Sequence, residues 1–81
     1  MLTNIEVRAA KPAASAYRIY DRDGLYLEVA TTGSKYWRLK YRYGGKEKRL
    51  ALGVFDAVTL AMARDKTVKA RKQLVNVVDP G

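Results

Sequence analysis

Residues 35–53, Lys35-Tyr36-Trp37-Arg38-Leu39-Lys40-Tyr41-Arg42-Tyr43-Gly44-Gly45-Lys46-Glu47-Lys48-Arg49-Leu50-Ala51-Leu52-Gly53, decide the fold. Apolar and polar side chains alternate at period two through the first half of this stretch, which is the pattern of a strand with one buried face. Trp37, Leu39, Tyr41 and Tyr43 fall on one side, and Tyr36, Arg38, Lys40 and Arg42 on the other. Gly44-Gly45 is a two-residue hairpin signal, because such turns need positive φ at both central positions. Closing that turn pairs Tyr43 with Lys46 and predicts Leu39 opposite Leu50, Trp37 opposite Leu52, Arg42 opposite Glu47 and Lys40 opposite Arg49. Apolar then meets apolar on one face, as a sheet with a single buried side requires.

Upstream, Leu25, Leu27 and Val29 alternate with Tyr26, Glu28 and Ala30. Matching faces across a Thr31–Lys35 loop predicts Leu27 beside Leu39, Val29 beside Trp37, Glu28 beside Arg38 and Tyr26 beside Lys40. Tyr17-Arg18-Ile19-Tyr20 is a candidate short edge strand, followed by the turn Asp21-Arg22-Asp23-Gly24. Those four residues loosely match the opening of a calcium loop, but the later ligands are missing. A short helix should open near Leu2, with Thr3 as N-cap and Glu6 completing a capping box, and should stop before Pro12. Downstream, the last strand is expected to end at Gly53, with a connection over Val54–Val58. Thr59 should cap a long helix through about Val75, with Leu60, Ala63, Thr67, Ala70 and Leu74 on its inner stripe. Asp65, Lys66, Lys69, Lys72 and Gln73 then face outward. The predicted architecture is α+β: a three-stranded antiparallel sheet, with residues 17–20 as a candidate fourth strand, packed on a long C-terminal helix, plus a short N-terminal helix.

Composition narrows the function. The 81 residues make one small domain, 48% hydrophobic and 30% charged, with room for a core but not for a core plus a deep substrate cleft. There is no cysteine and no histidine, which excludes disulfides, thiolate or histidine metal sites, and histidine-based acid–base catalysis. No apolar run approaches the roughly 20 residues of a membrane span, and no signal-peptide pattern opens the chain. The glycines form neither of the common phosphate-binding loops. No residue set supports catalysis, and no cofactor is expected.

The charge is strongly one-sided: 16 Lys and Arg against 8 Asp and Glu give +8, with a pI of about 10.0. It is also segregated. Residues 35–49 hold seven basic side chains and only Glu47, and residues 64–72 hold Arg64, Lys66, Lys69, Arg71 and Lys72 against Asp65. Segregated like charge repels itself, and a polyanionic partner relieves that cost. The polar face of the predicted sheet carries Tyr36, Arg38, Lys40 and Arg42, flanked by Tyr26, Glu28, Arg49 and Ala51. Lys40 opposite Arg49 destabilises a sheet by a few tenths of a kcal/mol, roughly, unless an anion lies between them. Glu28 beside Arg38 and Glu47 beside Arg42 would hold two arginines extended. A slim basic sheet face can enter a DNA major groove. Arg38 and Arg42 are the base-edge candidates, since arginine paired to guanine is the commonest specific contact. Lys35, Lys40, Lys46, Lys48, Arg49, Tyr26 and Tyr36 are candidates for phosphate or sugar.

Several segments, in order, carry a resemblance: Leu2-Thr3 through Ala10-Lys11-Pro12, Asp23-Gly24-Leu25-Tyr26-Leu27-Glu28-Val29, Gly33-Ser34-Lys35-Tyr36-Trp37-Arg38, Tyr41-Arg42-Tyr43-Gly44-Gly45-Lys46, Leu52-Gly53-Val54-Phe55 and Thr59-Leu60-Ala61-Met62-Ala63-Arg64. Over nearly its whole length the chain resembles the N-terminal domain of phage and genomic-island integrases of the tyrosine recombinase family. The resemblance implies a non-catalytic module that binds arm-type sites on double-stranded DNA during integration and excision of a mobile element. The catalytic groups of that family map onto nothing here. It further implies other integrase subunits as partners, no membrane or small-molecule substrate, a cytoplasmic location, and Asp79-Pro80-Gly81 near the start of a linker at residues 76–81. Asn76 stands where relatives often carry glycine. Two other readings fit the same element order: a double-stranded RNA-binding domain, and a protein-interaction module that docks recombinase subunits through the helix.

Overall fold

Thr3 opens the first helix. In the computed structural model, which describes residues 2–75, Thr3 Oγ1 accepts from the Glu6 N–H at 3.2 Å and donates to Glu6 Oε1 at 3.1 Å. Both halves of the capping signal therefore run through the threonine hydroxyl. Helix α1 (Asn4–Ala9) ends well before Pro12 and buries only Val7. The residues expected to begin a linker, 76–81, lie outside the described residues, as does Asn76.

Four strands follow: β1 (Tyr17–Tyr20), β2 (Leu25–Val29), β3 (Lys35–Tyr43) and β4 (Lys46–Val54). They form one antiparallel sheet in the order β1-β2-β3-β4, so residues 17–20 are a full member and the sheet has four strands rather than three. Tyr17 and Ile19 add to the core face, and Arg18 and Tyr20 to the opposite face. Helix α2 (Leu60–Val75) crosses the core face. Thr59 Oγ1 accepts from Met62 N–H at 3.2 Å, which confirms the predicted cap. Leu60, Ala63, Thr67 and Ala70 are buried against the sheet, together with Leu25, Leu27, Val29, Trp37, Leu39, Tyr41 and Leu52. The small stripe lets the helix axis approach the sheet closely, and Thr67 satisfies its buried hydroxyl by donating to the Ala63 carbonyl at 2.9 Å.

The β3–β4 turn forms as read. Gly44 and Gly45 have φ of 59° and 78°, and Tyr43–Lys46, Arg42–Glu47, Lys40–Arg49 and Leu39–Leu50 are paired. Beyond Arg38 the ladder slips at a bulge, so Trp37 faces Gly53 instead of Leu52, and β4 continues through Val54 rather than stopping at Gly53. The β2–β3 register differs from expectation by two residues. Leu25 faces Leu39, Tyr26 faces Arg38, Leu27 faces Trp37 and Glu28 faces Tyr36. The loop closes tighter than expected: Ala30 N–H donates to Ser34 O at 2.8 Å and Gly33 N–H to Ala30 O at 2.9 Å, with Gly33 at φ 94°. That is a three-residue hairpin loop whose left-handed third position calls for glycine. A shift of two residues leaves every side chain on its predicted face.

One buried hydrogen bond and one partly buried cluster of four fix the layers. Trp37 Nε1 donates to the Val58 carbonyl at 2.7 Å, tying the β4–α2 connection to the central strand. Asp21, in the turn after β1, has a wholly buried carboxylate that accepts from Arg64 Nε (3.0 Å), Arg64 Nη2 (2.9 Å) and Leu2 N–H (2.9 Å). Arg64 Nη2 also donates to Leu2 O at 2.9 Å, so the chain start, the turn and α2 meet at one ion pair. The Arg64 guanidinium, with help from Leu2 N–H, holds the Asp21 carboxyl below its ordinary value.

Candidate nucleic-acid interface

β2 pairs with β3 only as far as Leu39, and Lys40 N–H donates to Gly24 O at 2.9 Å. Past that point β3 pairs with β4 alone, so residues 41–48 project beyond β1 and β2 as a two-stranded ribbon. Its outer face, turned away from α2, carries Lys40, Arg42, Glu47 and Arg49, all exposed. Arg38 and Tyr36 continue the row along β3 and are half-buried. The candidate residues that the sequence placed on this face are thus brought together there, apart from one.

That one is Tyr26. It lies on the outer face yet is wholly buried, not available to a partner in the free domain. Arg18 Cζ sits 5.1 Å from its ring centroid, and Tyr20 packs at 5.4 Å between ring centroids. Glu28 lies between two arginines, with Oε1 3.8 Å from Arg18 Nε and Oε2 3.5 Å from Arg38 Nε. The expected Glu28–Arg38 pair therefore exists, but as a diagonal contact. The expected Glu47–Arg42 pair does not form. Glu47 Oε1 instead takes Lys40 Nζ at 2.8 Å, which holds the Glu47 carboxyl below its usual value. The diagonal reach also relieves Lys40 of its direct neighbour Arg49.

Three other expected contacts fall on the helix-side face. Lys35 Nζ donates to Val7 O at 2.8 Å and Arg8 O at 3.1 Å and lies 5.4 Å from the centre of the Phe55 ring. A cation on the last carbonyls of α1 is a helix C-terminal contact and holds that helix to the sheet. Lys46 and Lys48 share the face of Tyr41 and Tyr43, with Lys48 Nζ 5.3 Å from the Tyr43 ring centroid. On α2, Arg64 is held by Asp21, and Arg71 Nε donates to Asp23 O at 2.9 Å. Besides Arg71, the exposed cations there are Lys66, Lys69 and Lys72, and Lys69 pairs with Asp65 at 3.1 Å. Sequence reading missed Arg18 and Tyr20 as members of the outer face. The alternation of Tyr17 and Ile19 with Arg18 and Tyr20 carried that signal, once residues 17–20 are accepted as a strand.

The face is dominated by cations, with Lys40, Arg42 and Arg49 exposed on it. Among the described residues no group of three or more carboxylates is placed to hold a metal ion, and no helix is long and apolar enough to cross a membrane. Comparison with known proteins gives the same direction. Residues 2–81 match the family described as the arm DNA-binding domain. The chain is 53% identical over 77 residues to the integrase of Enterobacteria phage P4, covering 93% of this chain and 18% of that protein. It is 46% identical over 80 residues to the integrase of Shigella phage Sf6 and to prophage integrase IntS of Escherichia coli K12, covering 99% of this chain and 21% of each. It thus spans about a fifth of the length of these relatives. The chain belongs to the arm DNA-binding domain family, the DNA-binding domain of phage and prophage integrases.

Proposed function

We propose that this domain recognises arm-type sites on double-stranded DNA by laying the outer face of the β3–β4 ribbon in the major groove. The observation that carries the reading is the row Arg38, Lys40 and Arg42 on one face of β3, running out of the sheet into the projecting ribbon, with Arg49 directly opposite Lys40. A two-stranded ribbon fits a groove about 12 Å wide. Arg38 and Arg42 take base edges, where a bidentate guanidinium distinguishes guanine. Lys40, Arg49 and Tyr36 take phosphates, which fix register and orientation. An anion between Lys40 and Arg49 turns an unfavourable pair into a favourable one. The activity belongs to site-specific integration and excision by a longer cytoplasmic recombinase, which supplies the chemistry from other domains and works with further integrase subunits.

The deciding experiment is a titration of the 81-residue chain with arm-derived duplex DNA, scrambled duplex DNA and matched duplex RNA at several salt concentrations. Expected is tightest binding to the arm-derived duplex. With Lys40 and Arg49 each neutralising a phosphate, log K should fall against log salt with a slope of about −2. A slope near zero removes the electrostatic basis of the reading. Equal or tighter binding to the RNA duplex favours a shape reader of A-form helices instead.

A further inference from the structure

Two buried hydrogen-bonding groups on the outer face have no partner among the described residues: the Tyr26 hydroxyl and Arg38 Nε. They belong to directly opposed residues of β2 and β3. Glu28 Oε2 lies 3.5 Å from Arg38 Nε, beyond a good N–H···O distance, so the ion pair leaves the donor unmet. A buried donor without an acceptor is costly, and folded proteins carry few such groups. Tyr26 contributes its ring to the Arg18 and Tyr20 contacts, and those contacts need no hydroxyl. Phenylalanine would serve them as well.

We propose that the Tyr26 hydroxyl, the Nε edge of Arg38 and the Arg18 guanidinium form a latent phosphodiester-binding subsite, closed in the free domain and opened by DNA. This rests on the DNA-binding reading of the outer face and adds a site on its β1–β2 half. The cover is light. The Arg18 and Arg38 side chains keep 31% and 34% of their exposure, and both ion pairs to Glu28 are long. A phosphate competes with Glu28 for both guanidiniums, and displacement of Arg18, whose Cζ lies 5.1 Å from the Tyr26 ring centroid, uncovers that tyrosine. The phosphate oxygens then accept from Tyr26 O–H, Arg38 Nε and Arg18. Because a guanidinium has five N–H donors in a planar fork, the side edge of Arg38 can hold phosphate while its end pair stays free for a base edge.

The test is Tyr26→Phe in the full 81-residue chain, measured by thermal melting and by salt-dependent binding to arm-derived and scrambled duplexes, beside Arg18→Ala. Expected for Tyr26→Phe is a melting temperature unchanged or raised, since an unmet group is removed. Affinity should fall about tenfold on both duplexes alike, because a hydrogen bond to a charged acceptor is lost. Its salt slope should stay that of the wild type, because no charge is removed. Arg18→Ala should lower the slope by about one unit. Wild-type affinity in Tyr26→Phe overturns the inference, as does a lowered melting temperature, which would mean that the hydroxyl is satisfied in the fold. A loss confined to the arm-derived duplex overturns the phosphate assignment in favour of a base contact. Any of these leaves the sheet-face reading standing if the wild type binds DNA. Failure of the wild type to bind removes that reading itself.

Discussion

Lys40 Nζ is joined to Glu47 Oε1 at 2.8 Å, diagonally across β3 and β4, while Arg49 stands directly opposite Lys40. Both partners of the pair are nearly half-exposed. Exposed ion pairs contribute little to stability, so the carboxylate matters mainly for the charge of the ribbon. It partly neutralises a stretch that otherwise holds only cations, and it lies on the face proposed to meet phosphate.

Glu47→Gln is therefore expected to tighten binding to specific and scrambled duplexes alike, by a few-fold, and to leave the melting temperature unchanged. Equilibrium titration at two salt concentrations checks this. Weaker binding would mean that Glu47 positions Lys40 for its contact.

Arg38→Ala or Arg42→Ala should each cost about 1–3 kcal/mol on the correct site and relax its specificity. Lys40→Ala should weaken binding to all duplexes equally. Neutralising Lys66, Lys69 and Lys72 together should do less than Arg38→Ala. A larger loss from the helix variant, with melting unchanged, would assign recognition to α2.

Lys35→Met separates a structural lysine from a DNA-binding one. Its Nζ meets two carbonyls at the end of α1, so the variant should lower stability by about 1–2 kcal/mol. The salt slope of DNA binding at a temperature where the variant is folded should match the wild type. A slope reduced by about one unit would return Lys35 to the interface.

Asp21→Asn should destabilise the domain by about 2–4 kcal/mol, because Arg64 is left facing a neutral group at a buried three-way contact. The folded-state carboxyl is depressed below its ordinary value. The unfolded chain then binds the proton more readily, so this contribution is complete above the ordinary carboxylate range and is lost as pH falls through the folded value. Melting temperatures of wild type and variant should converge in acid and diverge toward neutral pH. A constant difference would show that Asp21 acts through packing alone.

Period-two alternation around Gly44-Gly45, the flanking alternation at residues 25–29 and the small-residue stripe from Leu60 to Leu74 were enough to assign β2, β3, β4 and α2 and the faces of their side chains. These are local properties: a side chain's face follows from its parity, and a hairpin from its turn residues. Thr3, Thr59 and Trp37 were likewise read correctly as two caps and a core residue, since the caps act close in sequence and the core position of Trp37 follows from its bulk and parity; its bond to Val58 O did not.

Tertiary structure decided what parity cannot see. A two-residue slip keeps every face, so the β2–β3 register waited on the Ala30–Ser34 loop closure. The bulge opposite Trp37 belongs to the same class of detail. Which cations remain free for a partner was also invisible in the sequence. Lys35 reaches Val7 and Arg8, Arg64 reaches Asp21, and Arg71 reaches Asp23, each across more than 25 residues of chain. Long side chains choose such partners only once the folded backbone brings carbonyls and carboxylates within 3 Å or so, the ordinary hydrogen-bond distance. Tyr26 shows the same limit: its parity placed it on the outer face, and only tertiary packing, with Arg18 and Tyr20 against its ring, decided that this face would be closed there.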